Sequence, residues 1–305
     1  MKRLLLCLTA LLLLGIPALA GNLQDARQGF TTTLTQKISE GNPPPIPPPD
    51  IFQLVTYPSP IGDMAAYVSP SPKDGQRHPA IIWVVGGMSN GIGGTLWDPR
   101  AKPENDQTAS AYRKAGIIMM CPSRRGGNTN PGYHEGFYGE VDDIIAARHY
   151  LEKLDYVDPA RIYLGGHSTG GTLALLVAEC GGGFRSVFSF GPVDQVSNYG
   201  PGLDPYDLTN QKENDLRSPV KWLQAITSPV FIFEGMVEPS NIDALHILQN
   251  ASTNPLVHFY PLQGKSHFSE LGPTNKVIAA KILADDGPAS TITFTDAELC
   301  NAAAN

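Results

Sequence analysis

The 305-residue chain has few cysteines and none in a C-x-x-C pair, which excludes a zinc ribbon or a dithiol redox motif. Cys7 falls in a segment expected to be removed. Cys121, Cys180 and Cys300 then remain, an odd set that allows at most one disulfide, and spacing does not select the pair. Positive charge is also scarce, with 22 basic against 29 acidic side chains and a net charge of −7. A nucleic acid or an anionic membrane is therefore not an expected partner. No apolar run approaches the roughly 20 residues that span a bilayer. There is no internal repeat.

What is present begins with a leader. Lys2 and Arg3 precede an apolar run over 4–14, and Ala18-Leu19-Ala20 forms an A-x-A cleavage signal. Residues 1–20 read as a signal peptide, so the chain is expected to be exported, periplasmic or secreted, with no membrane insertion after cleavage. Its removal takes away two basic residues and leaves 20 against 29, a net −9.

Residues 23–39 carry Leu23, Phe30, Leu34 and Ile38 near one helical stripe, which predicts an amphipathic helix. The proline tract over 43–49 reads as a stiff polyproline II linker. Segment 21–50 is thus a helix plus linker ahead of one folded domain over 51–285. Residues 286–305 form a weakly patterned tail, expected to be loosely held.

Within 51–285 the pattern alternates. Apolar strand-like runs lie at 52–57, 64–69, 80–85, 117–121, 161–164, 186–190, 230–233 and 256–260. Continuous apolar runs suit strands buried on both faces, as in a parallel sheet. Helical stretches at 141–151, 172–179, 241–249 and 275–283 separate the later ones. This predicts an α/β fold with a mostly parallel sheet of about eight strands and helices on both faces. The polar stretch 192–225 breaks the rhythm and reads as an insertion that could cap a site.

The sharpest motif is Gly166-His167-Ser168-Thr169-Gly170, a G-x-S-x-G between a predicted strand and an apolar helix. A sharp strand-to-helix turn exposes the serine hydroxyl, and glycines two residues either side permit close crossing. Ser168 is the candidate nucleophile, and a serine needs a base. His78, His134 and His149 precede Ser168, against the expected order nucleophile, acid, histidine. The turn is expected to direct His167 away. His246 falls in a helix and His258 in a strand. His267, in a loop after the last strand, is the candidate base. The acid is expected after the penultimate strand, where Glu238 is best placed, with Asp194 and Asp243 as rivals. The oxyanion donors are expected to be the N–H of Thr169 and an N–H from Gly86-Gly87-Met88, with Met88 preferred over Gly87.

Together these residues resemble the catalytic domain of the prolyl oligopeptidase family and its dienelactone-hydrolase-like relatives, from about 57 to 283. The likeness also rests on Pro122-Ser123-Arg124-Arg125-Gly126-Gly127, on Gly139-Glu140-Val141-Asp142-Asp143, on Val157-Asp158-Pro159-Ala160-Arg161-Ile162 and on the acid loop, which has Glu238 where Asp is usual. The resemblance implies an α/β-hydrolase fold and a serine hydrolase. Arg124 and Arg125 are expected to pair with carboxylates rather than touch substrate. The family's β-propeller has no room ahead of the first strand, which points toward a small ester, with a short peptide as the alternative substrate. A noncatalytic binding protein on the same scaffold is the third possibility. No metal or organic cofactor is implied, and the oligomeric state is open.

Overall fold

The computed structural model describes residues 21–301 apart from 99, 101 and 201, so the leader lies outside the described residues. Its elements run β1 (Gln53–Ser59), β2 (Gly62–Val68), β3 (His78–Val84), β4 (Ile118–Pro122), β5 (Val157–His167), β6 (Val187–Phe190), β7 (Val230–Val237) and β8 (Val257–Ser266). The helices are α1 (Leu23–Arg27), α2 (Ser110–Lys114), α3 (Glu140–Leu151), α4 (Thr169–Glu179), α5 (Gln211–Asp215), α6 (Ile242–Ala251), α7 (Leu271–Ala284) and α8 (Asp296–Asn301). The strands form one eight-stranded sheet in the order β1-β2-β4-β3-β5-β6-β7-β8. The pairs β1–β2 and β2–β4 are antiparallel, and every later pair is parallel. This is the α/β-hydrolase architecture expected from the sequence.

The apolar strand runs split by residue parity. In β3, Ile82 and Val84 enter one core with side chains of α3, α4 and α6, whereas Ile81 and Trp83 enter a second core with α2, α7 and α8. Strand side chains alternate between faces, so a sheet covered on both sides requires apolar residues at successive positions. The second core is aromatic, and Phe188 stacks on Tyr163 and Phe231 at 6.2 and 5.7 Å. Such pairs add about 0.5–1.5 kcal/mol each beyond burial.

Three expectations about the periphery need correction. The first helix ends at Arg27, and Gly29 turns the chain with a φ of +72°. Beyond it the segment is extended and bonds sideways. Thr33 donates its N–H to Glu213, Thr35 to the Pro205 carbonyl, and Glu40 to the Gly126 carbonyl. Successive β-branched threonines at 31–33 favour that extended path over a helix. The proline tract is anchored too, since the Tyr67 hydroxyl donates to the Pro45 carbonyl at 2.6 Å. The described part of the tail, 286–301, is not loose: Ile292, Phe294 and Leu299 are buried in the second core. The insertion 192–225 contains α5 and short 3-10 turns, and Leu216, Val220, Trp222 and Leu223 fix it to the first core. Cys121 and Cys180 are buried and Cys300 is exposed, all three as free thiols.

Candidate active site

Ser168 stands at the junction of β5 and α4 with φ 56° and ψ −119°, a left-handed conformation that a side chain adopts only under constraint. The constraint comes from both sides. The Ser168 N–H donates to the Phe190 carbonyl on β6 at 2.8 Å, while the Ser168 carbonyl accepts from Thr172 at 2.9 Å within α4. A side chain at Gly166 would strike the Gly170 carbonyl, and one at Gly170 would strike the Val84 carbonyl of β3. Strand and helix cross that closely only because both residues are glycine.

The N-terminus of α4 and the β3 loop meet above Ser168. The Thr169 hydroxyl donates to the Gly87 carbonyl at 2.7 Å, which clamps the loop to the helix. No backbone hydrogen bond among the described residues uses the N–H of Thr169 or of Met88. Both donors expected from the sequence are therefore free for an oxyanion, and the Met88 side chain is exposed.

His267 follows β8 and is buried. Its Nδ1 lies 3.0 Å from Oε2 of Glu234, which is fully buried. This corrects the acid assignment. Glu238 is exposed, and its Oε2 accepts from the Ser240 N–H instead. The reason is that β7 runs on to Val237, four residues past the end read from the sequence, so Glu234 is still in the strand beside β8. Neither rival acid reaches His267. Asp194 is buried but accepts from Asn198 at 2.8 Å, and Asp243 is exposed in the first turn of α6. The Glu234–His267 contact needs Gly191, whose α-carbon passes so close that any side chain would enter the imidazole and the carboxylate.

His167 was expected to point away, and it does not. Its Nε2 lies 2.8 Å from the His267 carbonyl, and the two rings are 4.5 Å apart. Burial, then the neighbouring His267, lowers its pKa to about 3, so it is a neutral donor that braces the His267 loop. Since His167 precedes Ser168 directly, this contact brings the candidate nucleophile and the candidate base to the same end of the sheet. Glu270 is fully buried behind them with neither carboxyl oxygen bonded through its side chain. Burial and then the charge of Glu234 raise its pKa well above the usual carboxyl range, which keeps it protonated. His167, His267 and Glu270 have ligand atoms within 4.8 Å of one another, the one such metal-competent group among the described residues.

The insertion contributes a residue that sequence reasoning passed over. The Tyr199 hydroxyl lies 2.7 Å from Thr172 Oγ1 and also meets the Ser168 side chain. Burial raises its pKa, so it stays a hydrogen-bond donor. Beside Thr169 a cleft of about 370 Å³, its open mouth included, is lined by Met88, Arg124, His134, Phe137 and Glu140. The two arginines part company here. Arg125 is paired as expected, with Asp143 at 3.0 Å and Glu135 at 2.8 Å. Arg124 is buried without an ion pair among the described residues, and donates instead to Asn90 Oδ1 at 3.0 Å and the Ser89 carbonyl at 2.7 Å.

Residues 103–237 match the model of the prolyl oligopeptidase family, which bears out the resemblance read from the sequence. No curated protein matched. Among solved structures, the chain is similar to Porphyromonas gingivalis dipeptidyl peptidase 4, with TM-score 0.60 and 19% identity over 76% of this chain and 35% of that one. It is similar to a Mycobacterium tuberculosis puromycin-hydrolyzing peptidase, with TM-score 0.59 and 21% identity over 77% and 39%. An esterase of Pyrobaculum calidifontis gives TM-score 0.54 and 18% identity over 76% of this chain and 85% of that one. These likenesses establish the fold. The chain spans 35% to 39% of the length of the peptidases it matches first.

Proposed function

We propose that this domain of prolyl oligopeptidase type is a serine hydrolase that cleaves carboxylic esters through an acyl-enzyme. The observation that carries the reading is the 3.0 Å contact of His267 Nδ1 with the buried Glu234, at the same end of the sheet as a serine held at a strained strand-to-helix turn. With Nδ1 committed to the carboxylate, Nε2 is the nitrogen left to take the Ser168 proton. Ser168 Oγ attacks the carbonyl carbon, and the N–H groups of Thr169 and Met88 receive the oxyanion. His267 then hands its proton to the departing oxygen, and water repeats the cycle on the acyl-enzyme. Glu234 holds the imidazole in the required tautomer and offsets its transient positive charge. None of these steps calls on a metal or an organic cofactor.

A peptide substrate is the second reading, favoured by the family match and by the two peptidases above. An esterase is also among the neighbours of like fold, and it favours the ester reading. The leader read at 1–20 belongs to the same proposal and makes the enzyme an exported one.

Ser168→Ala tests it. The parent is expected to turn over short esters and to gain the mass of a fluorophosphonate probe on Ser168, and the variant to do neither. Unchanged turnover in the variant would refute the assignment. Amine release from short peptides, without ester turnover, would move it to the second reading.

A further inference from the structure

Eleven large apolar side chains are exposed on the described residues, and four of them stand around this one site: Met88 at 57%, Met236 at 40%, Val237 at 49% and Phe268 at 41% exposure. Isolated exposed apolar residues are ordinary, but several grouped at one site mark a binding surface. The four divide into two groups. Met88 lies on the oxyanion side and its Cε rests over Gly202 of the insertion. The other three lie on the His267 side. Val237 pairs in register with Ser266, one residue before His267. The Phe268 ring stands edge-on to the His267 ring at 5.1 Å and to the His167 ring at 5.7 Å. Met236 occupies the irregularity in β7 just before Val237.

The chemistry assigns a role to that second group. In acyl transfer the carbonyl oxygen points at the oxyanion donors, here Thr169 and Met88. The leaving oxygen must face the imidazole that protonates it. The bond from Ser168 Oγ to the acyl carbon forms, the bond from that carbon to the alkoxy oxygen breaks, and the Ser168 proton ends on the alcohol by way of His267. The alcohol portion therefore departs past His267, whose ring Phe268 adjoins and whose loop Val237 flanks through its register with Ser266.

We propose that Val237, Phe268 and Met236 form an apolar subsite for the alcohol portion of the ester, so that the enzyme selects its substrates by a hydrophobic leaving group. The inference rests on the serine-hydrolase reading above and deepens it. Binding on this side acts during acylation, since every ester of one acid gives the same acyl-enzyme. Selectivity must then appear in kcat/KM across alcohols at a fixed acyl group.

The test uses the full mature chain and two substrate series below micellar concentration. One is the acetates of linear alcohols from ethanol to hexanol, and the other is the ethyl esters of acids from acetic to hexanoic. Full burial of a methylene is worth about fourfold in binding, so kcat/KM is expected to rise about two- to threefold per methylene along the alcohol series. Val237→Ser and Phe268→Ser are each expected to flatten that rise to less than 1.5-fold per methylene and to leave the slope of the acid series unchanged. Phe268 adjoins His267 and its replacement can disturb the ring, so Val237→Ser decides if the two differ. A flat alcohol series in the parent overturns the proposal, as does a variant that flattens the acid series instead. Chain-length dependence that appears only above the micellar concentration overturns it in favour of a lipid surface. If the alcohol series is flat but Ser168 still takes up a fluorophosphonate, the subsite alone has failed; if nothing is hydrolysed and Ser168 takes up no probe, the hydrolase reading has failed with it.

Discussion

Two glutamates four residues apart compete for one role, and replacing each by glutamine separates them. Glu234 Oε2 is 3.0 Å from His267 Nδ1, which puts the charge centres about 4 Å apart when the imidazolium forms. At an effective dielectric of about 20 that attraction is worth about 4 kcal/mol. Lost in the transition state, it corresponds to about a thousandfold in rate. Glutamine adds a second fault, because its amide can donate to Nδ1 and hold the wrong tautomer, so the expected loss in kcat is between about 10³- and 10⁴-fold. Glu238 is exposed and, among the described residues, its side chain accepts only from the neighbouring Ser240 N–H, so Glu238→Gln is expected to stay within about twofold of the parent. The assay is hydrolysis of an unactivated alkyl ester, whose leaving group needs the protonated histidine. Near-ultraviolet circular dichroism confirms that both variants keep their packing. If Glu238→Gln loses a thousandfold while Glu234→Gln loses less than tenfold, the geometry around His267 has been misread.

Gly191→Ala puts a methyl group into the His267 ring and the Glu234 carboxylate, and a displacement of that kind is expected to lower kcat by about 10²-fold or more while Ser168 remains present at its turn. Tyr199→Phe removes the hydroxyl that meets Ser168 and Thr172; kcat/KM is expected to fall about tenfold, the worth of one hydrogen bond of about 1.4 kcal/mol, with fluorophosphonate uptake retained. Glu179 is fully buried with neither carboxyl oxygen bonded, and burial raises its pKa well above its usual 4.5. Above that value the unfolded chain releases its proton while the folded protein keeps it, so stability falls as pH rises, by up to about 1.4 kcal/mol per unit, until the folded pKa is passed. Urea unfolding between pH 5 and pH 8 is expected to show this slope in the parent and a shallower one in Glu179→Gln; parallel slopes would sink the account.

The sequence marked this site unevenly, and the pattern of success has a physical reason. Ser168 and the eight strands were legible because each depends on residues adjacent in the chain: glycines two positions either side of a serine, or an unbroken apolar run. His267 was legible by elimination, since order along the chain excludes three of the other six histidines and the remaining three adjoin the candidate nucleophile or fall in a helix or a strand. The acid was missed by four residues because strand ends were read where apolarity stops. In Val230–Val237 the run VFIF is interrupted by Glu234, and a charge closing a strand buried on both faces is itself the signal, because such a carboxylate persists only with a partner. The helix expected over 23–39 failed for a related reason. Leu34 and Ile38 do sit on a helical stripe with Leu23, yet beyond Phe30 the chain bonds to distant residues, Thr33 to Glu213, Thr35 to Pro205 and Ile38 to His134, which no local period encodes.

Those distant bonds bear directly on the oxyanion loop. Backbone N–H groups stabilise a transition state only if they are already aimed when the charge develops. The loop carrying Met88 has three successive residues behind it tied to one carboxylate from the N-terminal segment. Glu40 accepts from Ser89 Oγ at 2.7 Å, from Asn90 N–H at 2.8 Å and from Gly91 N–H at 3.1 Å, and its other oxygen accepts from Asn128 N–H at 3.1 Å. Burial opposes ionisation there, but the bonds from Asn128, Ser89, Asn90 and Gly91 outweigh it and hold the pKa of Glu40 below the usual carboxylate range. The Thr169 hydroxyl fixes the same loop from the front through Gly87. Met88 is thus gripped on both sides, by the nucleophile's own helix and by a strap that leaves the domain before its first strand. Glu40→Gln keeps the size of the side chain and removes its charge, so kcat is expected to fall by about tenfold, the loss that about 1.4 kcal/mol of misaimed donor implies, while the urea-unfolding midpoint stays near that of the parent. A lowered midpoint with kcat per folded molecule unchanged would mean that Glu40 supports the fold and not the donor.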